Sequence, residues 1–255
     1  MTDGFFTRPP HQGRRYQKVL GILHAIRRPR TYLEIGTATG QTLAIAKCAS
    51  IAIDPNFRLA RDVRLGKPAC HLFETTSDDF FATQDPRAVL GAPIDLAFID
   101  GMHRYEFALR DFMNVERFCR PNSMIVLHDC LPVDSHMARR EPKDRTFATR
   151  AYLRAGWAGD TWKLIWILQR YRPDLRLYSF DAPPSGLVVV TGLRPDSTTL
   201  RTHYQEAVGA AAGLTLERFY AELEILSTAL LRRPRRMLRI LPRVRPFDFT
   251  RFVRA

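Results

Sequence analysis

Hydrophobic residues cluster in five short runs in the first half of the chain, and more polar segments separate the runs. The runs have the length and the flanking residues of buried strands, and they lie at 31–35, 50–54, 69–74, 94–100 and 123–129. Two intervening segments, TLAIAKCA and RYEFALRDFMNVERFC, carry helical periodicity, and a further helix is predicted over residues 14–28. Strands that alternate with helices join through right-handed crossovers into a parallel sheet, so the pattern predicts an α/β fold.

The pattern changes in the second half of the chain. Residues 162–171 are predicted to form a helix, and residues 174–181 and 186–193 are predicted to form strands joined by the turn APPS. Because this connection is too short for a crossover, the two strands are expected to be antiparallel neighbours. Residues 197–231 have a helical pattern.

Composition limits the class of protein. The chain has 255 residues, 45% of them hydrophobic, which is enough for one sizeable core. It contains no apolar run of about 18 residues, and its N-terminus lacks the apolar centre of a signal peptide, so we expect a soluble, cytoplasmic protein. Its cysteines are scattered without a C-x-x-C pair, which predicts reduced, structural thiols at Cys48, Cys70, Cys119 and Cys130.

Positive charge is concentrated at the C-terminus. The formal net charge is +13, and residues 232–255 hold nine arginines against the single acid Asp248, a contribution of +8. Such a tail is most simply a solvated extension, but it could also contact an anionic membrane surface or an acidic partner. Its aromatic residues are irregularly spaced, which makes nucleic-acid binding the weaker prediction.

A glycine-containing turn follows the first predicted strand, in TYLEIGTATGQT. Its spacing is Glu34-x-Gly36-x-x-x-Gly40, and Ala38 stands where a dinucleotide-binding turn needs its second glycine. The acid suits a cation or an ammonium group better than a phosphate. These features disfavour a nicotinamide-dependent dehydrogenase, and a purely structural strand-to-helix turn remains the alternative.

The strand-end residues resemble those of the class I S-adenosylmethionine-dependent methyltransferases. E-x-G-x-x-x-G follows the first strand, and an acid, Asp54 in IAIDPN, ends the second. The stretches FIDGMHRYEFALRDF and IVLHD are similar to the branch that contains metal-assisted small-molecule and sugar O-methyltransferases, including macrocin and cephalosporin-pathway enzymes. The resemblance implies a Rossmann-like sheet of seven strands, mostly parallel, with an antiparallel last strand and helices on both faces.

The same resemblance suggests a division of the chain into three parts. Residues 1–30 would be an N-terminal helical segment, residues 31–193 the S-adenosylmethionine-binding domain, and residues 194–255 C-terminal helices with the basic tail.

S-adenosylmethionine needs small residues around its amino-acid part, a carboxylate for its ribose hydroxyls and a polar cap on its adenine. Asp54 suits the ribose, and Ser77 with Asp78 is placed to face the adenine, although capping of the next helix explains that pair equally well. The cofactor-binding candidates are Glu34, Gly36, Thr37, Gly40, Asp54, Ser77, Asp78 and Asp100.

Two acids end adjacent predicted strands and form a candidate metal site. Asp100 follows the fourth strand and Asp129 the fifth, with His128 beside it. Oxygen ligands suit Mg²⁺ or another divalent cation, which would lower the pKa of an acceptor hydroxyl, and the resemblance implies this role for the acids. His128 could be a third ligand, a general base or a core histidine, and His103 could be a base or an adenine-side or capping residue.

The predicted activity is methyl transfer to a small hydroxylated metabolite or sugar. Residues 130–161 could cover the substrate, and Asp160, Trp162 and Lys163 could contact it, although a helix start with core tryptophans explains them nearly as well. The alternative is a non-catalytic module of the same fold that docks through its tail, and a homo-oligomer is possible. Methylation of nucleic-acid bases is disfavoured because IDGMH ends the fourth strand in place of N/D-P-P-Y.

Overall fold

The structure is a computed structural model that describes residues 5–141 and 156–232. It is an α/β fold built on one sheet, as the hydrophobic pattern predicts. The strands are β1 (Thr31–Ile35), β2 (Ala49–Ile53), β3 (Cys70–Phe73), β4 (Ile94–Ile99), β5 (Cys119–His128), β6 (Arg176–Phe180), β7 (Leu187–Thr191) and β8 (Ile225–Leu226). The helices are α1 (Tyr16–Arg27), α2 (Ser77–Thr83), α3 (Pro86–Leu90), α4 (Tyr105–Arg117), α5 (Lys163–Tyr171), α6 (Thr199–Thr202), α7 (Tyr204–Ala212) and α8 (Leu216–Ala221).

The strand order is β3-β2-β1-β4-β5-β7-β6-β8. Strands β1 to β5 are parallel, whereas β7 is antiparallel to both of its neighbours, β5 and β6. The mostly parallel sheet and the antiparallel seventh strand are therefore confirmed. The sequence analysis missed β8, which pairs with β6 from within a segment predicted to be helical. A strand of two residues carries too little alternation to be recognised.

The crossover from β1 to β2 differs from the prediction. TLAIAKCA was predicted to be helical, but only Leu43–Ile45 forms a short 3₁₀ turn, and the chain is extended again at Ala46. The glycine turn occupies the first part of this short connection and leaves no room for a longer helix. Helix α1 instead covers this face of the sheet, where its apolar residues Val19 and Leu20 join a core with Leu43.

Helices pack on both faces of the sheet, as expected. One core cluster lies between the sheet and α1, and a larger cluster joins the opposite face to helices α2, α4, α5, α7 and α8. The C-terminal helices belong to this larger cluster through residues such as Ala207 and Phe219. All four cysteines are free, as predicted. Residues 233–255, which contain nearly all of the predicted basic tail, and residues 142–155 of the predicted substrate-covering segment lie outside the described residues.

Candidate active site

The candidate site lies where the strand order reverses. The chain proceeds from β1 outward to β3 on one side, and from β4 to β5 on the other. In open α/β sheets, ligands bind in the crevice at the carboxyl ends of the strands beside such a reversal. The ends of β1 and β4 are held together there, since the Asp100 N–H donates to the Ile35 carbonyl over 2.9 Å.

The glycine turn packs directly against the end of β4. Gly36 has a φ of +83°, and a Cβ atom at this position would collide with the carbonyl group of Asp100. Its N–H is already hydrogen-bonded to the Ile53 carbonyl, and the N–H of Gly40 is hydrogen-bonded to the carbonyl of the buried Thr37. The two glycines therefore contribute the shape of the turn, a close approach of bare backbone, and their own N–H groups are used within it.

Asp54 holds this turn from the end of β2. Its Oδ2 atom accepts the N–H of Ala38 over 2.7 Å, and its Oδ1 atom accepts the N–H of Asn56 over 2.8 Å. Ala38 itself has a φ of 45°, a region that a residue with a side chain rarely adopts. Each oxygen of an ionised carboxylate can accept a second hydrogen bond, so Asp54 can hold the turn and still receive ribose hydroxyls.

Glu34 supports the turn from beneath. It is fully buried, and it accepts hydrogen bonds from the hydroxyls of Tyr32, over 2.6 Å, and Thr42, over 3.0 Å. Burial raises the pKa of Glu34 to about 7 despite these hydrogen bonds. The structure therefore places Glu34 under the site and not on its exposed surface.

The residues predicted for the adenine lie at the start of α2. The cap of this helix is Thr76, whose hydroxyl accepts the N–H of Asp79, so the capping explanation of Ser77 is wrong. Asp78 instead pairs with Arg110 of α4, with 2.7 Å between the carboxylate Oδ2 and the guanidinium Nη2.

Two aspartates and two histidines meet at the ends of β4 and β5. Asp100 Oδ1 lies 3.0 Å from Nδ1 of His128 and 3.6 Å from Nε2 of His103. Asp129 Oδ2 lies 3.0 Å from Nε2 of His103, and its Oδ1 lies 3.4 Å from Nδ1 of His128. Adjacent parallel strands bring both acids to one edge, as the sequence predicts.

The carboxylates and imidazoles of this cluster stabilise one another in their charged forms. Burial lowers the pKa of each histidine, but the neighbouring carboxylates outweigh burial and raise the pKa of His103 to about 9 and that of His128 to about 10. Burial likewise raises the pKa of Asp129, and the two imidazolium groups reverse that effect and hold it below its ordinary value. Without a metal ion the cluster is therefore a set of ion pairs.

The backbone of Asp129 is unusual in a way that suits a functional site. Its φ is 56°, in the left-handed region, which aspartate tolerates better than most residues. The hydroxyl of Ser185 donates a hydrogen bond to its Oδ1 atom, and the Leu131 N–H donates to the Ser185 carbonyl over 2.7 Å. The connection before β7 thus fixes the direction of this carboxylate.

Three side chains are placed to share a metal ion. Each of Asp100, His103 and Asp129 offers one ligand atom, and these three atoms lie within 4.8 Å of one another. The predicted trio contained His128 in place of His103. His128 is adjacent, but its Nδ1 atom faces the carboxylates from the sheet and its Nε2 atom is buried, with no hydrogen-bond partner among the described residues.

Two aromatic residues that the sequence analysis did not select complete the surroundings of the histidines. The ring of Tyr16, the first residue of α1, lies against His128 with 3.9 Å between the ring centroids. Burial and the nearby carboxylates of Asp100 and Asp129 raise the pKa of Tyr16. Trp157 lies beside His103, with 4.9 Å between ring centroids. Neither residue carries a sequence signal for this role, because each reaches the site from a distant segment.

The three predicted substrate residues have structural contacts. Asp160 accepts the N–H of Tyr105 over 3.2 Å and pairs with Arg140 over 2.8 Å, which fixes the start of α4. Trp162 is a core residue, and the Lys163 ammonium donates to the Ala212 carbonyl over 2.7 Å. The structure does not bring these side chains into the Asp–His cluster, although the backbone N–H of Asp160 donates to the carbonyl of His103.

Comparison with known proteins identifies the domain. Residues 33–130 match a family described as a methyltransferase domain. The matched segment runs from β1 to the residues just after β5 and so contains the whole Asp–His cluster. No curated protein matches the chain in sequence.

Solved structures of similar fold include three methyltransferases. The O-methyltransferase TomG from Streptomyces achromogenes, involved in tomaymycin synthesis and solved with S-adenosylmethionine, is 17% identical, with a TM-score of 0.48 over 70% of this chain and 80% of that one. PaMTH1 from Podospora anserina, solved with S-adenosylhomocysteine, is 15% identical, with a TM-score of 0.49 over 70% and 78%. An O-methyltransferase from Bacillus cereus, also solved with S-adenosylhomocysteine, is 14% identical, with a TM-score of 0.46 over 73% and 84%.

The matched segment identifies the domain that carries the glycine turn and the Asp–His cluster. The chain contains a methyltransferase domain at residues 33–130, built on the parallel part of the sheet. Among residues 5–141 and 156–232, no helix has the length and apolar character needed to cross a membrane.

Proposed function

We propose that this methyltransferase acts on a hydroxyl group of a small hydroxylated metabolite or sugar, with assistance from a divalent cation. The observation that carries the proposal is the group of Asp100, His103 and Asp129 at the carboxyl ends of β4 and β5. Such a group stands beside the glycine turn, so an acceptor bound over it would face the cofactor. The proposed unit is residues 31–193, to which residues 1–30 and 194–255 are added.

The residues around the turn fit the cofactor. Glycine at position 36 lets the turn pack against the Asp100 carbonyl, where a Cβ atom would collide, and so maintains the shape of the turn that would receive the cofactor. Asp54 offers free acceptor sites to the ribose, and Ser77 with Asp78 stands on the adenine side of the crevice. When bound, S-adenosylmethionine supplies an electrophilic methyl group on a sulfonium centre.

The donor set fits a divalent cation. Asp100 and Asp129 supply carboxylate oxygens, and His103 supplies Nε2, because its Nδ1–H is hydrogen-bonded to the Trp157 carbonyl over 2.7 Å. A hydrogen bond of this kind fixes the tautomer of a ligating histidine. Mg²⁺ or Mn²⁺ at this position would lower the pKa of a bound hydroxyl.

The proton of the acceptor hydroxyl needs a destination during the transfer. His128 lies beside the proposed ligands, and in its basic form it would receive the proton as the oxygen forms its bond to the methyl carbon. His103 would take this role if it does not bind a cation. Tyr16 and Trp157 border the two histidines and would limit the access of water.

The non-catalytic alternative receives less support. A scaffold that only docks to a partner has no need for four clustered ionisable groups at the ends of two strands. Two of them, His128 and Asp129, are buried, and ionisable groups are costly to bury. Docking through residues 232–255 to an anionic surface or acidic partner is a separate proposal, as are a homo-oligomer and a cytoplasmic location. Truncation after Leu231 is expected to retain cofactor binding and to weaken any salt-sensitive association.

The proposal can be tested in two steps. Titration calorimetry with S-adenosylhomocysteine first measures cofactor-site binding, which Asp54→Ala is expected to weaken. Methyl-labelled S-adenosylmethionine is then incubated with a panel of catechols, phenols and sugars, with Mg²⁺ or with EDTA. Transfer to oxygen that EDTA abolishes and Mg²⁺ restores is expected. Full activity in EDTA would reject the metal role, and transfer only to nitrogen or carbon would reject the acceptor class.

A further inference from the structure

An unusual carboxyl group lies in the apolar face of helix α4. Asp111 is 2% exposed, and its neighbours on this face, Ala108, Phe112 and Val115, are buried core residues. Its Oδ1 atom has no hydrogen-bond partner among the described residues. A buried carboxyl group with an unsatisfied oxygen destabilises a fold, and an apolar side chain of similar volume would pack there at least as well.

The contacts of Asp111 link two connections that border the cofactor crevice. The side chain of Ser77, in the first turn of α2, lies beside its carboxyl group. Its Oδ2 atom lies against Gly101, in the turn after β4, at 3.3 Å from where a Cβ atom of that glycine would be. Asp111 therefore lies between the connection that follows β3 and the connection that follows β4.

The preceding residue of α4 makes a parallel contact. Arg110 forms an ion pair with Asp78, and the next residue, Asp111, faces Ser77, which precedes Asp78. The Arg110–Asp78 pair is partly exposed, whereas Asp111 is buried. This double contact fixes the start of α2 relative to the end of β4.

We propose that Asp111 is a positioning residue for the adenosine half of the cofactor, which acts by holding Ser77 and the Gly101 turn at the spacing that the adenine requires. The proposal rests on the proposed cofactor site. Asp54, the proposed ribose ligand, follows β2, and the start of α2 follows β3. Both lie on the side of the crevice away from the Asp–His cluster. Through the start of α2, Asp111 is therefore expected to act on the adenosine half of the cofactor.

The test compares two ligands that share the adenosine half. S-adenosylhomocysteine contains the whole product skeleton, and 5′-methylthioadenosine lacks the amino-acid part. Calorimetry with the full chain is expected to show that Asp111→Leu weakens both ligands by the same factor, at least tenfold, while its unfolding midpoint in urea is unchanged or raised. Asp111→Asn, which keeps an acceptor oxygen, is expected to bind both ligands within threefold of wild type.

A matched control comes from the same helix. Glu116 is another buried acid of α4, paired with Arg172 away from the crevice, and Glu116→Gln is expected to lower stability without changing either affinity. Unchanged affinity for 5′-methylthioadenosine in Asp111→Leu would overturn the proposal, and so would a loss of stability without a loss of affinity. Failure of the wild-type chain to bind S-adenosylhomocysteine would reject the proposed cofactor site itself, which is a distinct result.

Discussion

The Nε2 atom of His103 lies 3.0 Å from the Oδ2 atom of Asp129. The other ring nitrogen of His103 donates its proton to the Trp157 carbonyl, so Nε2 faces the carboxylate either with a second proton or with a lone pair. A lone pair opposite a carboxylate is repulsive unless a cation lies between them. The imidazolium ion pair and a shared metal ion are thus two alternative states of the same cluster.

The first prediction concerns the metal-bound state. Titration of the wild-type chain with Mn²⁺, followed by calorimetry, is expected to show one site that Asp129→Asn and Asp100→Asn each weaken at least tenfold, because each removes a charged oxygen ligand. Asp78→Asn is the control, since this acid pairs with Arg110 outside the cluster. An equal Mn²⁺ affinity in all four proteins would contradict the assigned ligands.

The second prediction concerns the turn after β1. Gly36→Ala is expected to abolish binding of S-adenosylhomocysteine, because the added Cβ atom meets the Asp100 carbonyl and the positive φ strains alanine. Gly209→Ala in α7 is the matched control: nothing lies within 4 Å of its Cβ position. Alanine is also the better helix former, by about 1 kcal/mol, so the control should retain full affinity and equal or greater stability. A Gly36→Ala protein with wild-type affinity would show that the cofactor lies elsewhere.

Much of this site could be predicted from the sequence because its acids follow strands. Each apolar run ends where a parallel strand ends, so Asp54, Asp100 and Asp129 had to meet at one edge of the sheet. The contacts across the site could not be predicted in this way. Tyr16 reaches His128 from a helix more than a hundred residues earlier, and no local pattern records such a contact.

The choice between the two histidines shows the same limit. His128 ends a strand beside an acid, which made it the predicted third ligand. His103 owes its position to the carbonyl of Trp157, a backbone atom 54 residues away that any residue type could supply. Similarly, β8 was missed because its pairing partner β6, and not its own sequence, makes it a strand.

The third prediction concerns stability away from the site. Glu116 and Arg172 form a buried pair with two hydrogen bonds, of 2.7 and 2.9 Å, and the N–H of Arg194 also donates to Glu116. Glu116→Ala leaves the buried guanidinium of Arg172 with Asp174 as its remaining acidic partner. The substitution is therefore expected to lower the unfolding free energy by about 3 kcal/mol. Asp62→Ala, which breaks the exposed pair with Arg64, should leave the urea midpoint unchanged. Equal midpoints for the two variants would show that the buried pair contributes no more than a surface one.

The fourth prediction is a pH dependence that arises from Asp111. Burial raises the pKa of Asp111 to about 7, a change that the hydrogen bond from Ser77 and the nearby Arg110 reduce and the nearby Asp78 increases. The pKa of an aspartate in the unfolded chain is about 3.9. Between these values the folded protein holds a proton that the unfolded chain has lost. Protonation therefore stabilises the fold, and stability falls as the pH rises from about 4 to 7.

Comparison of wild type with Asp111→Asn isolates this effect. Glu34 and the histidine cluster also titrate, but they are common to both proteins and cancel in the difference between their unfolding free energies. That difference is measured by urea unfolding from pH 5 to pH 8. It is expected to change by up to ~1.4 kcal/mol per pH unit, the value for one proton, and to become constant above pH 7. The asparagine variant should gain relative stability as the pH rises. A difference that is independent of pH would mean that Asp111 is already ionised in the fold at pH 5, with its second oxygen solvated or paired.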